Sequence, residues 1–151
     1  MARILAVDPG EKRIGIALSD PTGSIANPLT VLRHVSRTVN AATIAALANE
    51  HHAERIIIGQ NLDEDGQPTL HGRSAARLAD ALRLQTDLPV ILWDETGSTA
   101  AARQAHIALG ASRRSRQKRG HSHLDDLAAT YILQTYLDAQ APSAPVSQAH
   151  P

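Results

Sequence analysis

Three acidic residues that are far apart in the sequence could together bind metal ions. Asp8 follows the apolar residues 4–7, Glu95 lies just after the apolar residues 90–93, and Asp125 begins a helical pattern. Carboxylates that converge in a partly buried place repel one another, and divalent cations relieve that repulsion. Oxygen ligands without a cysteine or histidine cluster favour Mg²⁺ or Mn²⁺, so we expect these three acids to bind two such ions.

Two metal ions roughly 4 Å apart can activate a water on one side of a phosphodiester and stabilise the leaving oxygen on the other. The predicted chemistry is therefore phosphodiester hydrolysis. A basic segment, residues 113–119, directly precedes the helix that carries Asp125, and we expect it to bind the phosphate backbone. Its candidate binding residues are Arg113, Arg114, Arg116, Lys118 and Arg119. The alternative for such a charge run is a solvated, mobile loop.

Each of the three acids also has a purely structural interpretation. Asp8-Pro9-Gly10 is common turn chemistry, and Glu95 could be a solvated acid at the end of a strand. Asp125 could serve the amino terminus of its helix, where acids are favourable. The coincidence of all three favours the metal site.

The elements that would position Asp8 begin with a β-hairpin. Residues 4–7 and 13–18 are two apolar runs joined by Pro9-Gly10. The first run is apolar at every position, which is typical of a central strand covered on both faces. Residues 25–35 are a third strand, and Pro28 suits the edge of a sheet.

The remaining chain alternates between helical and strand patterns. Helices are expected over residues 38–52, around the stripe Ala75, Leu78, Ala79 and Leu82, over about 98–109, and over 123–138. Strands are expected over residues 54–59 and 89–93. The fold class is therefore α/β. Right-handed crossovers would place the first, fourth and fifth strands side by side and parallel, with helices on both faces. Asp8 and Glu95 would then meet at the carboxyl end of these strands.

The last helix has an apolar stripe that starts at Asp125. Ala128, Ala129, Ile132, Leu133 and Tyr136 follow at helical spacing. The two alanines are small enough to let the helix lie close to the sheet, which would bring Asp125 toward the strand ends. Asp126 shares a face with Thr130 and Gln134, and we expect Asp126 to point to water, which leaves Asp125 as the inward acid.

Composition places the chain among single-domain proteins of the cytoplasm. Its 151 residues predict one domain over residues 1–138 and a disordered tail over 139–151. There is no cysteine, which suits a reducing compartment, and no apolar segment long enough for a membrane span. The net charge is zero, but outside residues 113–119 ten basic residues stand against fifteen acidic ones. With no Phe, one Trp and two Tyr, nucleic acid would be bound by its backbone rather than by stacked bases.

These residues resemble a known family. The opening motif, residues 8–20 (DPGEKRIGIALSD), is followed by Gly59 with Asp65-Gly66, by Trp93-Asp94-Glu95, and by residues 124–134. Together they resemble the YqgF family of Holliday-junction-resolvase-like proteins, also named pre-16S rRNA nucleases, in the RNase H-like superfamily. The resemblance spans about residues 3–138.

The resemblance implies an RNase H-like fold with a five-stranded mixed sheet. It further implies a metal-dependent nuclease that matures the 5′ end of 16S rRNA, with Asp8, Glu95 and Asp125 as the acids. Lys12 and Arg13 of the opening motif become candidate substrate-binding residues. Thr96 stands where the family commonly has Arg, so no phosphate contact is expected from that position.

Other functions stay open at this point. The same family suggests Holliday junction resolution, for which a homodimer would be needed, whereas a trimming enzyme could be a monomer. A catalytically silent RNA-binding factor in transcription or ribosome assembly would also keep the acids. A nucleotide-binding module of the actin and sugar-kinase type needs two domain copies, and 151 residues hold only one.

Overall fold

The computed structural model describes residues 3–94 and 123–140. Its strands are β1 (Arg3–Asp8), β2 (Arg13–Ser19), β3 (Ala26–Arg33), β4 (Ala53–Gln60) and β5 (Val90–Asp94). Its helices are α1 (Arg37–Glu50), α2 (Leu70–Arg83) and α3 (His123–Gln140). The helix predicted over about 98–109 lies outside the described residues. Every other predicted element is confirmed, and α3 runs two residues beyond its predicted end.

The described strands form one mixed sheet in the order β3-β2-β1-β4-β5. β1 pairs antiparallel with β2 and parallel with β4, and β5 continues the parallel side. The prediction that the first, fourth and fifth strands lie side by side and parallel is confirmed. β3 is an edge strand, which confirms the position inferred from Pro28.

Helices cover both faces of the sheet because alternate residues of each strand point in opposite directions. On one face, α1 and α2 pack against Leu5, Val7, Ile56 and Ile58. On the other face, α3 packs against Ile57 and against three smaller side chains, Ala6, Ala17 and Ala26. β1 is therefore buried on both faces, as its uninterrupted apolar run predicts.

Side-chain caps fix where α1 and α2 begin. Ser36 precedes α1, and its hydroxyl accepts a hydrogen bond from the Val39 amide at 3.2 Å. Thr69 does the same for α2 through the Gly72 amide at 3.0 Å. These bonds satisfy amides that have no partner inside the helix. The predicted α2 stripe of Ala75, Leu78, Ala79 and Leu82 is buried.

The buried face of α3 is wider than its predicted stripe. Ala128, Ala129, Ile132, Leu133 and Tyr136 are buried as predicted, and so are Leu127, Tyr131 and Leu137. Gln134 hydrogen-bonds the β2–β3 turn, and the side chain of Asp126 lies outside the described set. The Oε1 of Gln134 accepts from the Ala26 amide at 2.9 Å, and its Nε2 donates to the Ser24 carbonyl at 3.1 Å. Gln134 reaches this turn because α3 passes close to β3, within reach of a long amide side chain.

Among the helices described, none combines the length and the apolar character that a membrane span requires.

Candidate active site

Asp8 is the last residue of the central strand and lies half-buried at the carboxyl end of the parallel strands. β4 and β5 end at this same end of the sheet, at Gln60 and Asp94. Since parallel strands bring their carboxyl ends together, loops that follow them share one surface. This surface is called the carboxyl end of the sheet below.

Glycines flank Asp8 on both neighbouring strands. Asp8 follows Ile4 and Ala6 in alternation, so its side chain belongs to the face that α3 covers. Its partner on β2 is Gly15, and on β4 Gly59 follows Ile58, the partner of Val7. Neither glycine has a side chain, so the adjacent strands leave room beside the carboxylate for a ligand.

The turn after Asp8 requires glycine at its second position. A Cβ atom built on Gly10 would lie 2.3 Å from the carbonyl oxygen of Arg13, well inside van der Waals contact. The turn is also tied to the end of β3, because the Lys12 carbonyl accepts a hydrogen bond from the His34 amide at 2.9 Å. Lys12 and Arg13 are exposed on this turn. The predicted substrate-binding residues of the opening motif therefore lie at the carboxyl end of the sheet.

The first turn of α3 contains the backbone of Asp125, whose side chain lies outside the described set. Gln134 fixes the second half of α3 at the opposite end of the sheet, next to Ala26. Nine residues of helix, about 14 Å, separate Gln134 from Asp125. From Ile4 to Asp8 along β1 the distance is also about 13 Å. Ala129, five residues before Gln134, packs with Ala6 and Ala17 nearer the middle of the sheet, so α3 runs from Ala26 toward the carboxyl end as it nears its first turn.

The two alanines of α3 that were predicted to face the sheet are buried. Ala129 is fully buried and Ala128 is 6% exposed, and Ala129 shares a cluster with Ala6 and Ala17 of the sheet. Small side chains on both sides let a helix approach a sheet closely. The helix that carries Asp125 thus packs on the same face as Asp8.

β5 is joined to α3 by its tryptophan. Trp93 Nε1 donates to Thr135 Oγ1 at 3.0 Å, and the Trp93 ring meets Tyr136 edge to face with centroids 5.1 Å apart. Glu95, two residues further on, lies outside the described residues. The basic segment with Arg113, Arg114, Arg116, Lys118 and Arg119 also lies outside them.

Within residues 3–94 and 123–140, no three described His, Cys, Asp or Glu side chains lie together as a metal site would require. Two of the three predicted ligands, Glu95 and Asp125, have no described side chain. The structure therefore places Asp8 at the carboxyl end of the sheet and leaves the predicted three-carboxylate site a prediction.

A second feature of the carboxyl end escaped the sequence analysis. On the face covered by α1 and α2, a cleft of about 120 Å³ opens beside Pro9 and Gly10. His34, Arg37 and Ser74 contribute polar side chains to its lining. The only sequence signal for it is the cation at Arg37 just inside the cap at Ser36, and this pattern is too common to indicate a site.

The chain is similar to a known family and to several named proteins. The sequence profile of the RuvX family, described as Holliday junction resolvase, matches residues 2–139. A Roseiflexus protein (strain RS-1) named "Putative pre-16S rRNA nuclease" is 36% identical over 138 residues, which are 91% of this chain and 95% of the relative. A protein of the same name from Syntrophus aciditrophicus is 39% identical over 137 residues, covering 91% of this chain and 89% of the relative.

A solved structure gives an independent comparison of the fold. The structure of T. thermophilus RuvC in complex with a Holliday junction substrate superposes with a TM-score of 0.55 at 13% identity. The match covers 93% of this chain and 96% of that one. The mixed sheet with its helices is therefore a RuvC-like, RNase H-type fold.

Proposed function

The chain belongs to the RuvX family of Holliday junction resolvases, and we propose that it is a metal-dependent nuclease whose centre is built around Asp8. It hydrolyses phosphodiester bonds in nucleic acid. The observation that carries the proposal is the position of Asp8, at the end of the central strand, between Gly15 and Gly59, on the face covered by α3.

Asp8, Glu95 and Asp125 are proposed to hold two divalent ions, Mg²⁺ or Mn²⁺. The donors suit hard cations, because they are carboxylate oxygens and the chain has no cysteine. The flanking glycines leave space at Asp8 that an ion and its water ligands could fill. When bound, such ions supply a nucleophilic water at neutral pH and stabilise charge on the leaving oxygen.

Residues near Asp8 position the substrate strand and the carboxylates. Lys12 and Arg13, exposed on the turn after Asp8, bind phosphate oxygens of the substrate. Gly10 keeps this turn tight, so Asp8 stays in a fixed position relative to Lys12 and Arg13. The segment 113–119 adds phosphate contacts from the loop that precedes α3.

The proposed substrate is the 5′-extended precursor of 16S rRNA, the substrate that the relatives' name implies. A four-way DNA junction is the second candidate, because the family is described as resolvases. A junction is cut on two symmetric strands, so this second function requires a homodimer. Sedimentation of the protein with and without junction DNA would show whether such a dimer forms.

Cleavage of a labelled 16S precursor fragment tests the proposal. Wild type, Asp8→Asn and Asp87→Asn are compared in Mg²⁺, in Mn²⁺ and in EDTA, and a four-way junction is assayed in parallel. Asp87 is an exposed acid at the opposite end of the sheet, so its substitution is a matched control. Asp8→Asn should cut at least about 100-fold more slowly, because losing a metal ligand costs more than the 10- to 100-fold loss typical of its hydrogen-bonding partners.

Three outcomes would contradict the proposal. Cutting in EDTA would exclude the metal mechanism, and undiminished cutting by Asp8→Asn would exclude Asp8 as a ligand. Binding of both nucleic acids without cleavage in any metal would identify a silent binding protein instead.

A further inference from the structure

The cleft on the α1 and α2 side of the carboxyl end begins one residue after Asp8. Pro9 and Gly10 form one wall, α1 contributes Arg37 and Asn40, and α2 contributes Ser74 and Leu78. A wider opening continues from it toward Arg77. Asp8 points to the α3 face, so the cleft and the carboxylate lie on opposite sides of the same strand end.

A buried asparagine fixes the ring of His34 in this cleft. Asn40 is only 4% exposed, and its Oδ1 accepts from the Val35 amide at 3.1 Å. Its Nδ2 therefore faces His34 Nδ1 at 3.0 Å and donates to it. With Nδ1 as acceptor, the neutral ring carries its proton on Nε2. His34, which lines the cleft, thus carries its N–H donor on Nε2.

Cations surround the cleft. Arg37 lines it, and Arg77 lines its wider opening. An adjoining depression is lined by Lys12, Arg13, Arg33 and His34. Among the described residues that line these three openings, Glu11 is the sole carboxylate. Because the whole chain has no net charge, this is a local concentration of positive charge.

We propose that this cleft binds a backbone phosphate of the substrate strand, a few nucleotides from the phosphate that is cut at Asp8. The proposal rests on the nuclease function and adds a second contact point to it. Guanidinium groups, an imidazole N–H and the Ser74 hydroxyl are donors that suit phosphate oxygens. The lining holds several cationic donors and a single carboxylate, Glu11, so it favours an anion over a metal ion. A nucleic-acid strand bound both at Asp8 and in this cleft would be held across the carboxyl end of the sheet.

The binding test uses a fluorescently labelled RNA strand of the 16S precursor in EDTA, where no cutting occurs. Arg37→Gln and Arg77→Gln should each weaken binding roughly 10-fold, and each should reduce the slope of log affinity against log salt by about 1. His34→Ala should weaken binding less, because it removes a neutral donor. Arg3→Gln is the matched control, since it removes the same charge at the amino end of β1 and should leave both quantities unchanged.

A second measurement separates strand binding from chemistry. Bis(p-nitrophenyl) phosphate is a diester with no second phosphate, so Arg37→Gln and Arg77→Gln should hydrolyse it at the wild-type rate. Thermal unfolding of each variant checks that it is folded. Wild-type affinity and salt slope in both arginine variants would overturn the proposal, as would a parallel loss of diester hydrolysis in folded protein. The binding assay in EDTA does not depend on cleavage. If the protein cuts no substrate, the proposed nuclease function is refuted, and the binding assay still decides whether the cleft binds phosphate.

Discussion

The two ends of the sheet place an aspartate in different surroundings. At the carboxyl end, Asp8 lies between two glycines, next to a turn that requires Gly10 and beside a cationic cleft. At the opposite end, Asp20 starts the β2–β3 turn. Its Oδ1 accepts from the amides of Ser24 and Ile25, both at 2.9 Å, and its Oδ2 accepts from the Thr22 hydroxyl.

Asp20 stabilises a turn, whereas Asp8 is the acid that we propose as a metal ligand. Hydrogen bonds from the Ile25 amide and the Thr22 hydroxyl lower the pKa of Asp20 from 3.8 to about 2, because they favour the charged form. The groups that donate hydrogen bonds to Asp20 all belong to its own turn, so the charge of Asp20 stabilises that turn. Asp8 instead ends the central strand, at the end of the sheet where the metal site is proposed.

Exchanging each acid for its amide gives the largest predicted contrast. Asp8→Asn should reduce cleavage at least about 100-fold, whereas Asp20→Asn should leave the rate per folded molecule within about twofold. Thermal unfolding should show the reverse ranking, with Asp20→Asn the less stable variant. Equal effects of the two substitutions on cleavage would mean that the ends of the sheet do not differ in function.

Overpacking α3 tests whether its close approach to the sheet matters. Ala129→Leu should cost about 1–3 kcal/mol in unfolding free energy, because Ala129 is fully buried against the sheet. Cleavage should fall further than the loss of folded protein explains, since a displacement of about 1 Å can cost roughly 100-fold in rate. Ala139→Leu, at the exposed end of the same helix, is the control. A rate that falls only with stability would exclude a positioning role for α3.

Gly10→Ala tests the turn that serves both the carboxylate and the cleft. The added Cβ would meet the Arg13 carbonyl at 2.3 Å, so the turn must open, at a cost of about 1–3 kcal/mol. Both cleavage and strand affinity should fall, roughly 10-fold each. Gly66→Ala is strained by its φ of +80° but has open space around it, and should cost about 1 kcal/mol without affecting either activity. If Gly10→Ala preserves both, the turn does not couple them.

The smallest predicted effect is a pH dependence at the opposite end of the sheet. The pKa of Asp20 is lower in the folded chain, so the unfolded chain takes up this proton first as the pH falls. Its contribution to stability is complete above about pH 4 and is lost as the pH falls to about 2. The stability difference between wild type and Asp20→Asn should therefore shrink over this range in chemical denaturation. A difference that stays constant would show that the turn does not depend on the charge.

The parts of the carboxyl end that follow local rules could be predicted from sequence. Residues close together in the sequence predict three of these parts: the apolar strand before Asp8, the Pro9-Gly10 turn and the buried alanines of α3. The order of the parallel strands followed from the handedness of crossovers. These steps located Asp8 and the helix that carries Asp125.

The cleft could not be predicted in this way, because it depends on how separate elements pack. His34, Arg37 and Ser74 come from a strand end and two helices, and only the docking of α1 and α2 brings them together. Gln134 shows the same limit, since helical periodicity assigns it a face but not the neighbouring strand within reach. Tertiary packing decided both.

Metal binding tests the central claim most directly. Free Mn²⁺ gives a paramagnetic resonance signal that is lost on binding, so titration of the protein with Mn²⁺ counts bound ions without any substrate. Wild type should bind two ions, and Asp8→Asn, Glu95→Gln and Asp125→Asn should each lose at least one, while Asp20→Asn should match wild type. Unchanged Mn²⁺ binding by folded Asp8→Asn would contradict the proposal that Asp8 is a metal ligand of this nuclease.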